Sequence, residues 1–343
     1  MKSTDSNANR RRRLAVLSGV LLAGLVSAQT PFTVFDDPVP RQVEKLYTAG
    51  LQYLAKTPGA DASQHDNYAT QPGVVGLAVL AFLAHGEDPN HGPYSEPIKR
   101  GLTFILNSQD KNTGYIGTSM YNHGFATLAL AESYGMVDDE RLGPALDQAV
   151  KLLLDSQARN PFGAWRYSST ATDADTTVSG ACLVALLAAR NAGLEIPEDA
   201  VKKALEYYRS CQTAEGGFGY TSGSGGAGPA TSAIGTLAYA LARQKKAMVY
   251  KAASLYLAQV DAGGGDAAQG NSYEYYYLYY ASQAFFHSTP EQWEKWNKAN
   301  LARLQAAQGS DGSWNSNHGQ VFSTAAALLS LALNYRFLPI YER

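Results

Sequence analysis

The sequence predicts an all-α fold in which six helical hairpins close into a double ring, and three observations carry that prediction. Five glutamines, Gln109, Gln157, Gln212, Gln259 and Gln308, recur 48, 55, 47 and 49 residues apart. A period near 50 residues marks one supersecondary unit per repeat. Four of the five lead into a glycine and an aromatic side chain: Gly114-Tyr115, Gly163-Ala164-Trp165, Gly217-Phe218 and Gly312-Ser313-Trp314. Apolar residues at helical spacing flank each turn. Ile98, Leu102, Ile105 and Leu106 run up to Gln109, and Phe125, Leu128, Ala129 and Ala131 follow its turn.

The first segment of each unit, near 42–56, 95–109, 142–157, 197–212, 247–259 and 291–308, carries Lys, Glu and Arg on one face. Such a helix belongs in an outer layer against solvent. The second segments, near 72–85, 119–135, 176–192, 229–244, 272–288 and 320–336, are poor in charge and rich in Ala, Gly, Leu and Ser all round. That composition requires cover on nearly every side, which an inner ring provides. Small residues such as Gly76-Leu77-Ala78 and Ser179-Gly180-Ala181 permit the close helix approach of a tight ring. The glutamine amide, with two donors and an acceptor, is suited to tie the carbonyls of one helix end to the amides that begin the next.

The ends and composition bound the partners. Residues 1–28 combine Arg10-Arg11-Arg12-Arg13, an apolar run and Val26-Ser27-Ala28, the pattern of a cleavable export signal. The apolar run is short of the roughly 20 residues that span a bilayer, so we expect no stable membrane span. A secreted or periplasmic chain follows, with an extension over 29–41 and one ring domain over 42–343. The formal net charge is −2, and no predicted helix carries a basic stripe, so nucleic acid is excluded as a partner. Cys182 and Cys211 are the two cysteines. They fall at similar heights on an antiparallel helix pair, which leaves a disulfide open and excludes a Cys-rich zinc site.

The segment Gln308-Gly309-Ser310-Asp311-Gly312-Ser313-Trp314 resembles the repeat shared by squalene and hopene cyclases and by protein prenyltransferase beta subunits. The resemblance spans about six repeats and implies an α/α toroid. Residues 123–130 and 335–339 also resemble a group of exported bacterial repeat proteins with no assigned role.

Within that resemblance, Thr172-Asp173-Ala174-Asp175-Thr176-Thr177 is similar to the Asp-x-Asp-Asp-Thr motif of class II terpene cyclases. It implies Asp173 and Asp175 as catalytic residues, with Asp175 protonating an alkene. A carboxyl does this when burial keeps it protonated. Thr176 stands in place of the last aspartate, removing the supporting carboxylate. Read from the residues alone, Asp173 or Asp175 is an N-cap for the helix that follows. Prenyltransferases hold zinc with Asp, Cys and His. Here Asp175 and Cys182 have no His at matching spacing, and the histidines at 65, 85, 91, 123, 287 and 318 are scattered. We therefore expect no metal and no cofactor.

Tyr273, Tyr276, Tyr277 and Tyr280 share one helical face, with Glu274 on another. Such rings stack on sugars, cradle an isoprenoid or fill the centre of the ring. With all inner helices starting on one side, Gln71, Tyr121, His123, Asp173, Asp175, Thr231, Tyr273, Glu274 and Gln320 form a polar rim at one mouth, with His318 just before the last helix. Tyr121, His123, Tyr273, Glu274 and Tyr277 are the expected ligand-binding residues, and six helix N-termini there favour an anionic group. Three functions fit. One is a non-catalytic toroid binding an isoprenoid, a glycan or another protein in its Tyr-rich centre. The others are a terpene-cyclase-like enzyme and a carbohydrate-active enzyme with Glu274 or an Asp as acid.

Overall fold

Polar-faced and uniformly apolar segments alternate along the chain, and they fold as alternating outer and inner helices. The computed structural model describes residues 39–56, 70–262 and 273–342; the expected export signal and the Gly-rich turn after Gln259 lie outside them. The outer helices are α1 (Arg41–Lys56), α3 (Ser95–Asn107), α5 (Leu142–Arg159), α7 (Glu198–Ser210), α9 (Met248–Ala262) and α11 (Pro290–Ala307). The inner helices are α2 (Pro72–His85), α4 (Met120–Ser133), α6 (Thr176–Asn191), α8 (Pro229–Leu241), α10 (Glu274–Phe286) and α12 (Gln320–Leu331).

Burial separates the two layers as composition demands. Every residue of α2 before His85 is buried, whereas α7 buries one face, from Ala200 to Tyr208, and leaves its charges outside. Inner helices pack in sequence, α2 on α4, α4 on α6, α6 on α8, α8 on α10 and α10 on α12, and α12 returns to α2. The ring is therefore closed. Glycine sets its tightness at two places. A Cβ on Gly76 would lie 2.9 Å from the Phe125 carbonyl oxygen, and one on Gly124 would lie 3.0 Å from the Ala181 carbonyl carbon. Any larger residue would push neighbouring inner helices apart.

The recurring glutamines join one unit to the next. Gln109 Nε2 donates to the Gly114 carbonyl of its own turn at 3.1 Å and to the Ala145 carbonyl of α5 at 2.8 Å. Gln157 donates to Gly163 and to Ala200 of α7. Gln212 donates to Gly216 and to Val249 of α9. Gln308 donates to Gly312 and, across the closing seam, to Leu46 of α1 at 2.9 Å. Both partners are carbonyls, where the sequence led us to expect amides at the second contact. The reason is that one amide nitrogen carries two hydrogens, so a single atom serves both units. Trp165 and Trp314 then lie over their turns and donate from Nε1 to the Leu153 and Leu304 carbonyls.

The last inner helix is shorter than its apolar pattern. α12 stops at Leu331, a 3-10 turn covers Ala332–Asn334, and Arg336 takes a left-handed φ of 61°. This turns the chain so that Leu338, Ile340 and Tyr341 are buried, the last two in a segment packed on α6. Tyr341 approaches Tyr279, Tyr47 and Glu132 there. Residues 338–341 thus cross the end of the ring opposite the inner-helix N-termini. Glu132, buried beneath them at the end of α4, has its carboxyl pushed up to about 8 by desolvation.

We expect Gln308→Ala to destabilise the protein by about 1–3 kcal/mol, because two carbonyls lose their donor at the seam. Urea denaturation measures it. A variant as stable as the parent would show that ring closure does not depend on this amide.

Candidate functional site

The tyrosine run that opens α10 decides how much room the ring encloses. Tyr276, Tyr279 and Tyr280 point to the centre and are buried. They reach helices on the far side: Tyr276 stands edge-on to Tyr121 of α4 at 6.3 Å between centroids, and Tyr279 edge-on to Phe125 at 6.2 Å. Tyr276 also donates its hydroxyl to the Thr177 carbonyl of α6. Edge-to-face rings at these separations are attractive beyond their area. The hole is therefore filled by a layer of aromatic rings.

Above that layer, the inner-helix N-termini frame two adjoining depressions of about 340 and 360 Å³. Tyr121, Tyr167, Tyr273 and Tyr276 line both. Gln71, Asn122, Ser119 and His318 join the apolar Val74, Leu77, Phe125 and Phe322 in the first, and Thr177, Tyr220, Pro229, Thr231 and Tyr277 lie in the second. Among the described residues, no Asp, Glu, Lys or Arg lines either one. The polar groups form a connected network. Asn122 donates from Nδ2 to Gln71 and accepts at Oδ1 from the Gly73 amide. Tyr121 shares a hydrogen bond with the Thr177 hydroxyl, and Tyr167 with the Tyr220 hydroxyl at 2.5 Å. Burial raises the Tyr121 and Tyr276 phenols well above the ordinary tyrosine range, so both stay neutral.

Several expected rim residues lie elsewhere. His123 is fully buried and faces the outer layer, where Nδ1 accepts from the Ile116 amide at 3.1 Å and Nε2 donates to the Ala149 carbonyl of α5 at 3.0 Å. It fills the slot held in other repeats by Ser179, Ser232 and Thr324, which accept from the Trp165, Phe218 and Trp314 amides. His123 is therefore a link between layers, and its pKa is lowered to about 4 by desolvation. In the same alignment Ile116, and not Tyr115, occupies the place of the tryptophans. Glu274 is partly buried at the start of α10 and lines neither depression. Tyr277 lines the second depression as expected, while leaning on Trp296 of the outer α11, edge-on at 5.7 Å. Tyr273, 56% exposed, stands at the rim beside His318.

Asp175 is the N-cap of α6. Its Oδ1 accepts from the Thr177 and Val178 amides and from the Thr177 hydroxyl. Its Oδ2 is buried without a hydrogen-bond partner, 3.6 Å from Arg166 Nε. Desolvation raises its pKa against the pull of those donors and of Arg166. Asp173 is exposed and pairs with Arg166 at 2.7 Å. Neither carboxyl lines a depression. Cys182 and Cys211 are both buried free thiols. Cys182 turns to the Met120 carbonyl of α4 and Cys211 lies beside Ser210.

The N-termini of α4 and α6 are already occupied. Protein groups take their first amides: Asp175 on α6, the Ser119 hydroxyl on α4, and the Tyr167 and Tyr220 carbonyls from the Met120 and Thr176 amides. Tyr167 and Tyr220 are the rim residues that sequence reasoning missed. Each follows its turn aromatic, Trp165 or Phe218, by two residues, so aligning the turns on those aromatics would have exposed them.

A closed double ring with a polar, tyrosine-lined mouth defines an α/α toroid. The profile of the prenyltransferase alpha-alpha toroid domain matches residues 73–271, more than half of the sequence. The chain belongs to that family. Among solved structures it is similar to the type II terpene cyclase MstE from Scytonema, in complex with geranylgeranyl dihydroxybenzoate, at 14% identity and a TM-score of 0.56, over 87% of this chain and 98% of that one. It is also similar to the alpha-1,6-mannanase GH76A of Salegentibacter sp. HEL1_6. An inactive variant of that protein, in complex with alpha-1,6-mannotetrose, matches at 9% identity and a TM-score of 0.65, over 86% and 99% of the two chains. At such identities these two likenesses show a shared fold.

The layer link is testable through pH. His123→Ala should cost about 1–3 kcal/mol at pH 7, since two buried backbone groups lose their partners. The folded parent holds this imidazole neutral, while the unfolded chain protonates it below roughly pH 6.5. The parent's advantage should therefore shrink by about 1.4 kcal/mol per unit as pH falls from 6.5 towards 4. A gap that stays constant over that window would place His123 in a solvated setting.

Proposed function

We propose that this protein is a non-catalytic binding toroid that holds its ligand at the tyrosine-ringed mouth. The observation that carries the reading is the filled centre. Tyr276, Tyr279 and Tyr280 occupy the space in which a long polyene would have to fold. What remains is a pair of open depressions near the lower end of the roughly 300–1,000 Å³ range of ligand sites. They offer rings and neutral hydrogen-bonding groups, and the candidate acids stand outside them. The usual hydrolysis of a glycoside uses two carboxyls flanking the bond, and the described lining residues supply none. The ligand classes are those held by proteins of this fold, an isoprenoid or a glycan.

A second reading, cyclase-like protonation, is favoured by one feature. Asp175 is a buried carboxyl of raised pKa with an oxygen that accepts no hydrogen bond. Asp175→Asn separates the two readings, because Asn still caps the helix and so perturbs stability little. Binding alone predicts that the parent leaves linear isoprenoids unchanged and that the variant keeps the parent's ligand affinity. Acid-dependent conversion of a polyene by the parent, lost at least a hundredfold in Asp175→Asn, would establish the cyclase instead. Export by residues 1–28 belongs to the same proposal, motivated by the Arg run and the apolar stretch. Protein recovered from outside the cytoplasm should begin near Gln29; an intact Met1 there would reject a cleaved signal.

A further inference from the structure

Building on the mouth as the binding site, we infer that its ligand is a neutral oligosaccharide of at least two sugar units, lying across the two depressions. Four features of the mouth point to that class. The first is charge. Among the described residues, phenol, hydroxyl and amide groups supply most of the polar lining, with His318 beside them and no carboxylate, ammonium or guanidinium. A charged ligand would find no counter-ion among the described lining residues, the nearby Arg166 guanidinium is already paired with Asp173, and the first amides of α4 and α6 are bonded to Asp175, Ser119, Tyr167 and Tyr220.

The second is the pairing of flat rings with groups that both donate and accept. Tyr167, Tyr220 and Tyr273 are 49%, 38% and 56% exposed, and they gather at this opening. Clustered exposed aromatic surface marks a binding site. A pyranose has an apolar C–H face that covers such a ring and an edge of hydroxyls that bonds to its neighbours. Gln71 and Asn122 on one side, and Thr177 and Thr231 on the other, set amides and hydroxyls around the rings. A polyene would desolvate these groups without replacing their bonds to water.

The third is pre-organisation. The Asn122–Gln71, Tyr121–Thr177 and Tyr167–Tyr220 hydrogen bonds fix the side chains before a ligand arrives. Rigid neutral networks of this kind lower the ordering cost of binding. The fourth is the doubling of the site. Two depressions of nearly equal size share Tyr121, Tyr167, Tyr273 and Tyr276 as a common wall. Consecutive sugar rings would each occupy one depression and touch that wall.

The test is an array of neutral and acidic oligosaccharides probed with the purified protein, followed by calorimetric titration of the best neutral trisaccharide, its monosaccharide and geranylgeraniol. We expect saturable binding of a neutral oligosaccharide, at least tenfold weaker binding of the monosaccharide, and no preference for uronic acids. Tyr273→Ala and Tyr167→Ala should each weaken binding at least tenfold with an unchanged thermal midpoint, since both rings are exposed. If geranylgeraniol or an acidic glycan binds, no neutral oligosaccharide does, and Tyr273→Ala weakens that binding, the saccharide assignment fails while the mouth remains the site. If nothing binds, or if both tyrosine variants bind as the parent does, the mouth reading fails with it.

Discussion

At four junctions among the described residues, one amide nitrogen with two hydrogens holds a repeat to the next. In Gln109, Gln157, Gln212 and Gln308 the same Nε2 bonds the carbonyl of its own turn and a carbonyl in the first two turns of the following outer helix. Lys or Arg would carry a charge into a partly buried turn, and Asn would be a methylene too short to reach both. The tie also makes closure possible, because Gln308 treats α1 as the helix that comes next. A ring whose last unit bonds its first has no exposed terminal repeat to cap, unlike an open stack of hairpins.

That constraint explains which features could be read from the residues. The glutamines, the alternation of polar-faced and apolar segments, and the cap at Asp175 are local patterns with fixed spacing, and they located the helices and the closed ring. His123 was misread because the slot it fills has no fixed distance from its turn. It lies seven residues after Ile116, whereas Ser179 and Ser232 lie fourteen after their aromatics and Thr324 ten after Trp314. Ser, Thr and His share only the ability to accept from an amide, which composition does not display. The tyrosine run was legible as an inward face, but not its division of labour. Helical spacing groups Tyr277 with Tyr276 and Tyr280, and the proximity of Trp296 draws it towards the outer layer.

Filling the centre has consequences at both ends of the ring. At the far end residues 338–341 shut off Glu132, whose carboxyl stays protonated up to about pH 8. Because its folded pKa lies above the ordinary carboxylate value, its contribution is fully present in acid and is lost as pH rises through the folded pKa. His123 acts in the opposite sense, opposing folding as pH falls below its ordinary range. The two groups sit on the same helix, one near its start and one at its end, so α4 is held neutral along its buried length. At the mouth, the described lining residues offer hydroxyls, amides and aromatic faces.

The mouth is also not a loop grafted onto a finished scaffold. The Tyr167 carbonyl receives the first amide of α4 and the Tyr220 carbonyl receives the first amide of α6, while their rings stand at the rim and flank the Arg166 guanidinium. Backbone and side chain of the same residue therefore perform separate tasks. The backbone orients the inner helices, and the aromatic ring stands exposed at the rim. Because the capping group is the main chain, the side chain at either position is free to change without unravelling the helix beneath it. A ring of repeats can thus acquire different ligands by substitution at the second residue after each turn aromatic. In this chain two successive repeats place tyrosine there, and the corresponding residues of the repeats headed by Ile116 and Trp314 are Thr118 and Ser316.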